Sequence, residues 1–209
     1  MRLTKYTHAC VRLEREGRTL LIDPGTFSEA AAYEGVSHVL VTHEHADHID
    51  ADQLATALAA NGDLKVYTSA AVAAQLSHLG DAVVTVGVGD QVSVNGFSVE
   101  AVGGNHAEIY EGLPGCANIG FVIDGEVYHP GDALFVPEQP VPTLLVPTCA
   151  PWLKLAEALD FVRAVKPRRA FSIHDAMLST IGQGNIDNWM AMKGQTEYAR
   201  IPIGSSVEV

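Results

Sequence analysis

Between Val41 and Asp50 the chain reads VTHEHADHID, which places His43, His45, Asp47 and His48 within six residues. Imidazole and carboxylate are the side chains that ligate zinc, iron and manganese. With 9 histidines in 209 residues, composition alone does not predict so dense a cluster. In an extended segment alternate side chains point the same way, so His43 and His45 can grip one ion. If the chain then turns into a helix, Asp47 and His48 point elsewhere and can grip a second. One loop does not complete a metal site. Three later positions have suitable side chains: His106 in VGGNHAE, Asp132 in YHPGDA and His174 in FSIHDA, each after a run of strand composition. Four such strand ends can open on one edge of a fold.

The elements that must position these residues follow from periodicity and turn chemistry. RLTKYTH, CVRLEREG and the segment leading to LLIDPG read as strands, and HVLVTH as a buried one. The spacing predicts a helix over Ala51–Ala60 capped by Asp50, a strand at KVYTS and a second helix over Ala70–His78. The second half repeats this order. Strands flank the Gly-Asp and Asn-Gly turns of VVTVGVGDQVSVNGFSVEAVGG, and Asp124-Gly125 turns a hairpin in ANIGFVIDGEVYHPGD. TLLVPT is a buried strand, Leu153–Val165 a helix, RRAFSIHD a strand, and ARIPIGSSVEV has strand composition. Strand runs followed twice by helix–strand units predict two sheets packed face to face with helices outside. No linker or repeat divides the chain, so one domain is expected over residues 1–209.

The motifs LLIDPG, THEHADH, GNH, HPGD and SIHD, in that order, resemble those of the metallo-β-lactamase superfamily along nearly the whole length. The compact branch that includes L-ascorbate-6-phosphate lactonase is the closer likeness, through THACVRLE, NIGFVIDGEVYHPGD and AEALDFVRAVKPRRAFSIH. VPTCAPW departs from the Gly-Gly loop that branch tends to carry. The resemblance implies an α/β, four-layer αββα sandwich with a dinuclear site along one edge. His43, His45 and His106 would bind one metal; Asp47, His48 and His174 the other; Asp132 would bridge both. Asp23 would accept from a ligand imidazole and fix its ring. The two divalent ions would be zinc first, with manganese or iron as alternatives.

Such a pair of ions yields a bridging hydroxide that attacks a small ester, lactone or phosphoester, with Asp47 carrying the proton to the leaving group. Asp47 and Asp132 are therefore the expected catalytic carboxylates. His8, Asn105 and Tyr110 are candidate substrate contacts, and Asn105–Asn118 reads as a substrate-binding loop. Cys149 reads as a small buried residue and His129 as a structural one. The substrate is expected to be a small molecule, anionic or lactone-like. A formal charge of −12, from 13 basic and 25 acidic residues, argues against nucleic acid and anionic membranes. The N-terminus shows no apolar signal region and the three cysteines no disulfide spacing, so a cytoplasmic protein is expected, with homo-oligomerisation left open. The alternatives are a mononuclear iron persulfide dioxygenase-like oxidoreductase and a metallo-nuclease of the same fold. The first would abandon several of these ligands, and the second lacks a basic module here.

Overall fold

The computed structural model describes residues 1–113 and 115–209. Three antiparallel strands open it, β1 (Arg2–Lys5), β2 (Val11–Arg15) and β3 (Arg18–Ile22). The chain then crosses over in parallel to β4 (His38–Val41), β5 (Lys65–Thr68) and β6 (Val83–Thr85). Helices α1 (Ala51–Ala60) and α2 (Ala70–Gln75) make the last two crossovers. Asp50 caps α1 by accepting from Gln53 N at 2.9 Å, as its side-chain chemistry predicts. The second half repeats the plan. Strands β7 (Gln91–Val94), β8 (Phe97–Asn105), β9 (Ala117–Ile123) and β10 (Val127–His129) are antiparallel. Strands β11 (Thr143–Pro147), β12 (Arg169–Ile173) and β13 (Glu197–Ala199) then run parallel. Their crossovers carry α3 (Leu155–Val165) and α4 (Thr180–Lys193). The last strand, β14 (Ser206–Glu208), returns to the first sheet beside β1.

Among the described residues the strands form two sheets of seven, ordered β14-β1-β2-β3-β4-β5-β6 and β13-β12-β11-β10-β9-β8-β7. Leu13, Leu20, Ile22, Leu40, Phe97, Phe121 and Leu145 fill the layer between them. α1 and α2 cover one outer face through Leu54 and Val72, and α3 and α4 the other through Phe161, Val162 and Met190. This is the four-layer αββα sandwich of the metallo-β-lactamase fold. Its hairpin turns follow turn chemistry: Asn95-Gly96 and Asp124-Gly125 all take positive φ, which these residue types tolerate. No helix among the described residues is long and apolar enough to cross a membrane.

Three expectations differ. The helix expected over Ala70–His78 ends at Gln75 and continues as a 3-10 segment kinked at Gly80, where φ is 57°. The helix expected from Leu153 begins at Leu155, where the Glu157 carboxylate accepts from Lys154 N at 2.8 Å. The loop expected at residues 105–118 is occupied at its two ends by β8 and β9, and its Pro114 lies outside the described residues.

Candidate metal centre

The ends of β3, β4, β8, β10 and β12 lie on one edge of the sandwich, and each delivers part of one constellation. After β3, Asp23 is fully buried with φ of 49°. Its carboxylate accepts from Thr42 N at 2.8 Å, Thr42 Oγ1 at 2.7 Å and His48 Nδ1 at 2.7 Å. It therefore clamps both ends of the THEHADH turn. Within that turn His48 N and Ile49 N both donate to His45 O, a tight bend that leaves the His43 and His48 rings 4.1 Å apart. His106 follows β8. Asp132 follows β10, its backbone N–H donating to Asn118 Oδ1 at 2.9 Å. A Cβ on the preceding Gly131 (φ 62°) would meet Asn118 Oδ1 at 2.3 Å, so only glycine fits there. His174 follows β12 with φ of 53°.

These side chains converge. Asp132 Oδ1 lies 3.0 Å from His48 Nε2, and Asp132 Oδ2 lies 3.0 Å from His174 Nε2, 3.3 Å from His106 Nε2 and 4.0 Å from His43 Nε2. His43 Nε2 and His45 Nδ1 are 3.1 Å apart, and Asp47 Oδ2 is 3.4 Å from His174 Nε2. Two groups result, each with its ligand atoms within 4.8 Å of one another: His43, His45, His106 and Asp132, and His8, Asp47, His48 and His174. Asp132 lies within 3.0 Å of the second group as well as belonging to the first.

The hydrogen bonds identify what the centre accepts. Nδ1 of His43 faces Thr42 Oγ1 at 3.0 Å, and Nδ1 of His48 faces Asp23. Nδ1 of His106 donates to Ala107 O at 2.5 Å, and Nδ1 of His174 to Cys149 O at 2.6 Å. With the proton held on Nδ1, each Nε2 presents a lone pair inward. Nε2 of His48, His106 and His174 and Oδ1 of Asp132 are buried without a hydrogen-bond partner. Several electron pairs aimed at common points from 3 Å apart are what a cation satisfies. The donor set fits divalent metals.

Without an ion, protons take over part of that role. Burial opposes a charge on His48, yet Asp132 and Asp23 outweigh it and lift its pKa to about 10. Burial likewise opposes charge on His174, and its contacts with Asp132 and Asp47 lift it to about 9. Burial would raise Asp132, but the imidazoles around it hold it well below the usual carboxylate range. Burial, then the neighbouring His48 charge, push His43 well below its ordinary value.

All seven residues expected as ligands meet here, with Asp23 behind them. Asn105 lines a cavity of about 320 Å³ beside His45 and His106, whereas Tyr110 is 73% exposed and is absent from that lining. His8 is 1% exposed, bonded to Asp47 and at the wall of a second cavity rather than the one beside His45 and His106. His129 is buried, its Nε2 at 2.9 Å from Ala9 O. Cys149 enters through its carbonyl and is only partly buried, against the expectation of a buried small residue. Sequence reasoning missed Thr42 and left Trp152 without a role. Trp152 Nε1 donates to Asp132 Oδ2 at 3.1 Å, and its ring lies 5.9 Å from His106 and 6.2 Å from His174. A larger cavity, about 440 Å³, lies on the far side of His8; its cations Lys5 and Arg200 are paired with Asp175 and Asp187.

Residues 2–174 match the Beta-lactamase superfamily domain. Protein Rv0786c of Mycobacterium tuberculosis is 38% identical over 213 residues, spanning 99% of each chain. The UPF0173 metal-dependent hydrolase MJ1163 of Methanocaldococcus jannaschii is 30% identical over 138 residues, 62% of this chain and 60% of that one. Igni18 of Ignicoccus hospitalis, described as a novel metallo hydrolase, superposes with a TM-score of 0.78 over 99% of this chain and 97% of its own, at 19% identity. The chain belongs to the β-lactamase superfamily domain family.

Proposed function

We propose that the protein is a cytoplasmic metal-dependent hydrolase of a small ester or lactone, acting through a dinuclear centre within one domain spanning residues 1–209. His43, His45 and His106 hold one ion, Asp47, His48 and His174 the other, and Asp132 both. The observation that carries this reading is the set of buried Nε2 and Oδ atoms that face one another unpartnered while every Nδ1 behind them is anchored. Divalent ions, zinc before manganese or iron, supply Lewis acidity and an ionised water near neutral pH when bound there. Asp47, its side chain 27% exposed, is the carboxylate that would accept the proton released on that ionisation and pass it to the leaving group. Trp152 holds the Asp132 carboxylate through its N–H and shields one side of the centre from solvent. A mononuclear iron reading leaves the second buried group without a role.

The lining supports the ester and lactone end of the substrate range over phosphoesters. Beside His45 and His106 the cavity presents Ala107, Ile109 and Leu113 with Glu108, and no lysine or arginine among the described residues. An apolar acyl group fits such a wall, and a phosphate would find only the ions to answer its charge.

The test is elemental analysis of protein purified without added metal, paired with a metal-replete screen of lactones, carboxylic esters, thioesters and phosphodiesters. Two ions per chain and turnover of esters or lactones are expected. Asp132→Ala abolishes activity and His174→Ala lowers the metal content toward one. Undiminished turnover in Asp132→Ala overturns the reading.

A further inference from the structure

Four imidazoles of the centre share one orientation, with Nδ1 toward an oxygen and Nε2 inward. His8 is reversed. The backbone N–H of Ala176 points at His8 Nδ1 from 3.3 Å, and Nε2 lies 3.1 Å from Asp47 Oδ2. A backbone amide can only donate, so Nδ1 must present its lone pair. A neutral imidazole carries one proton, which then sits on Nε2 and faces a carboxylate oxygen that accepts it. An imidazole protonated at Nε2 has no electron pair there to give a metal. By distance alone His8 counts as a fourth member of the group with Asp47, His48 and His174. Its hydrogen bonds exclude it.

We propose that His8 is a positioning residue: protonated at Nε2, it holds Asp47 Oδ2 by donating to it and coordinates no ion. This rests on the metal-centre reading above. The surroundings fix His8 for that task. Its backbone takes the left-handed conformation, φ 65°, which a non-glycine residue keeps only where its neighbours over-determine it. Here the buried Lys5 ammonium donates to His8 O at 2.6 Å and His174 N donates to the same oxygen at 3.2 Å. The ring lies 3.9 Å from that of His174 and meets the edge of Phe27 at 5.4 Å. The residue after β12 and the loop between β1 and β2 are thus tied together, and the His8 ring grips Asp47. With Oδ2 so held, the carboxylate is restrained about its last torsion.

The experiment is long-range ¹⁵N–¹H NMR of the imidazoles in uniformly ¹⁵N-labelled protein loaded with ¹¹³Cd. His43, His48, His106 and His174 should show Nδ1–H and a ¹⁵N–¹¹³Cd coupling at Nε2; His45 should couple through Nδ1. His8 should show Nε2–H and no coupling. Cadmium coupling at His8, or a proton on its Nδ1, overturns the inference while leaving the metal centre intact. Absence of cadmium coupling at all the other histidines sinks the metal-centre reading instead, and the His8 tautomer in that spectrum still decides the donor assignment. As a second arm, His8→Gln keeps an N–H donor and His8→Phe keeps the volume without one. His8→Phe should lose about 10- to 100-fold in kcat with little change in KM, and His8→Gln should recover most of it. Equal loss in both variants counts against a donor role.

Discussion

The Asp47–His48 peptide occupies the space that a side chain on Gly25 would need. A Cβ added to Gly25 would lie 2.0 Å from Asp47 O, 2.1 Å from Asp47 C and 2.5 Å from His48 N. These are backbone atoms, which cannot swing aside like a lysine tip. The two loops are also tied by the bond from Thr26 N to Ala46 O at 2.8 Å. To reach ordinary contact at 3.4 Å, one backbone must retreat by about 1.4 Å. The displaced peptide carries Asp47 and His48, whose ligand atoms meet Asp132 and His174 at 3.0–3.4 Å. A misplacement of about 1 Å is enough to lower turnover roughly 100-fold. Overpacking of this kind destabilises by about 1–3 kcal/mol, a fall of roughly 2–12 °C in Tm for a chain of this length. Gly25→Ala should therefore fold, melt lower and bind close to one ion per chain, read by calorimetry and elemental analysis. Gly62→Ala is the control, since its Cβ meets nothing within 4 Å; it should melt at or slightly above the parent temperature. Full metal content together with an unchanged Tm in Gly25→Ala would refute the reasoning that this contact sets the position of the ligand turn.

Other outcomes follow from the same geometry. Asp23→Asn puts an amide N–H₂ where Thr42 and His48 both donate, so chelator competition should show metal affinity lower by about 10- to 100-fold; parent affinity would remove Asp23 as the orienter of His48. In the metal-free protein His48 and His174 have folded pKa values raised from the ordinary 6.5 to about 10 and about 9. Their stabilisation is therefore complete below pH 6.5 and is lost as pH rises through 9 and 10. Asp132 and Asp47 are depressed, so theirs is present above the ordinary value of 3.8 and is lost as pH falls below it. His43 is held below its ordinary value, so its contribution is lost as pH falls below 6.5. Thermal melts in a chelator should then decline on the acid side and decline again as pH rises through 9 and 10; a Tm that climbs through pH 9 contradicts the charge assignment. Because an ion must displace the protons on those histidines, metal affinity should rise with pH and binding should release protons into a weak buffer.

Local physics made much of this protein legible before any folding was considered. Asp50 ahead of an alanine-rich run marks the start of α1, Asn95-Gly96 and Asp124-Gly125 mark hairpins, and His43, His45, Asp47 and His48 mark the centre by type and spacing alone. Helix α4 escaped because Gly182 and Gly184 interrupt its pattern and only Ile186 and Met190 are buried, so its packing against the sheet outweighs weak propensity. Strand β14 pairs with β1 across the whole chain, a contact no local signal announces. The partners that aim the ligands were equally hidden. Ala107 O and Cys149 O are backbone atoms, which every residue has, and Trp152 reaches Asp132 only after β10 and β11 are side by side. Side-chain chemistry and short-range spacing belong to the sequence, whereas the direction each lone pair faces is settled by groups brought from distant positions, because a hydrogen bond is made between neighbours in space.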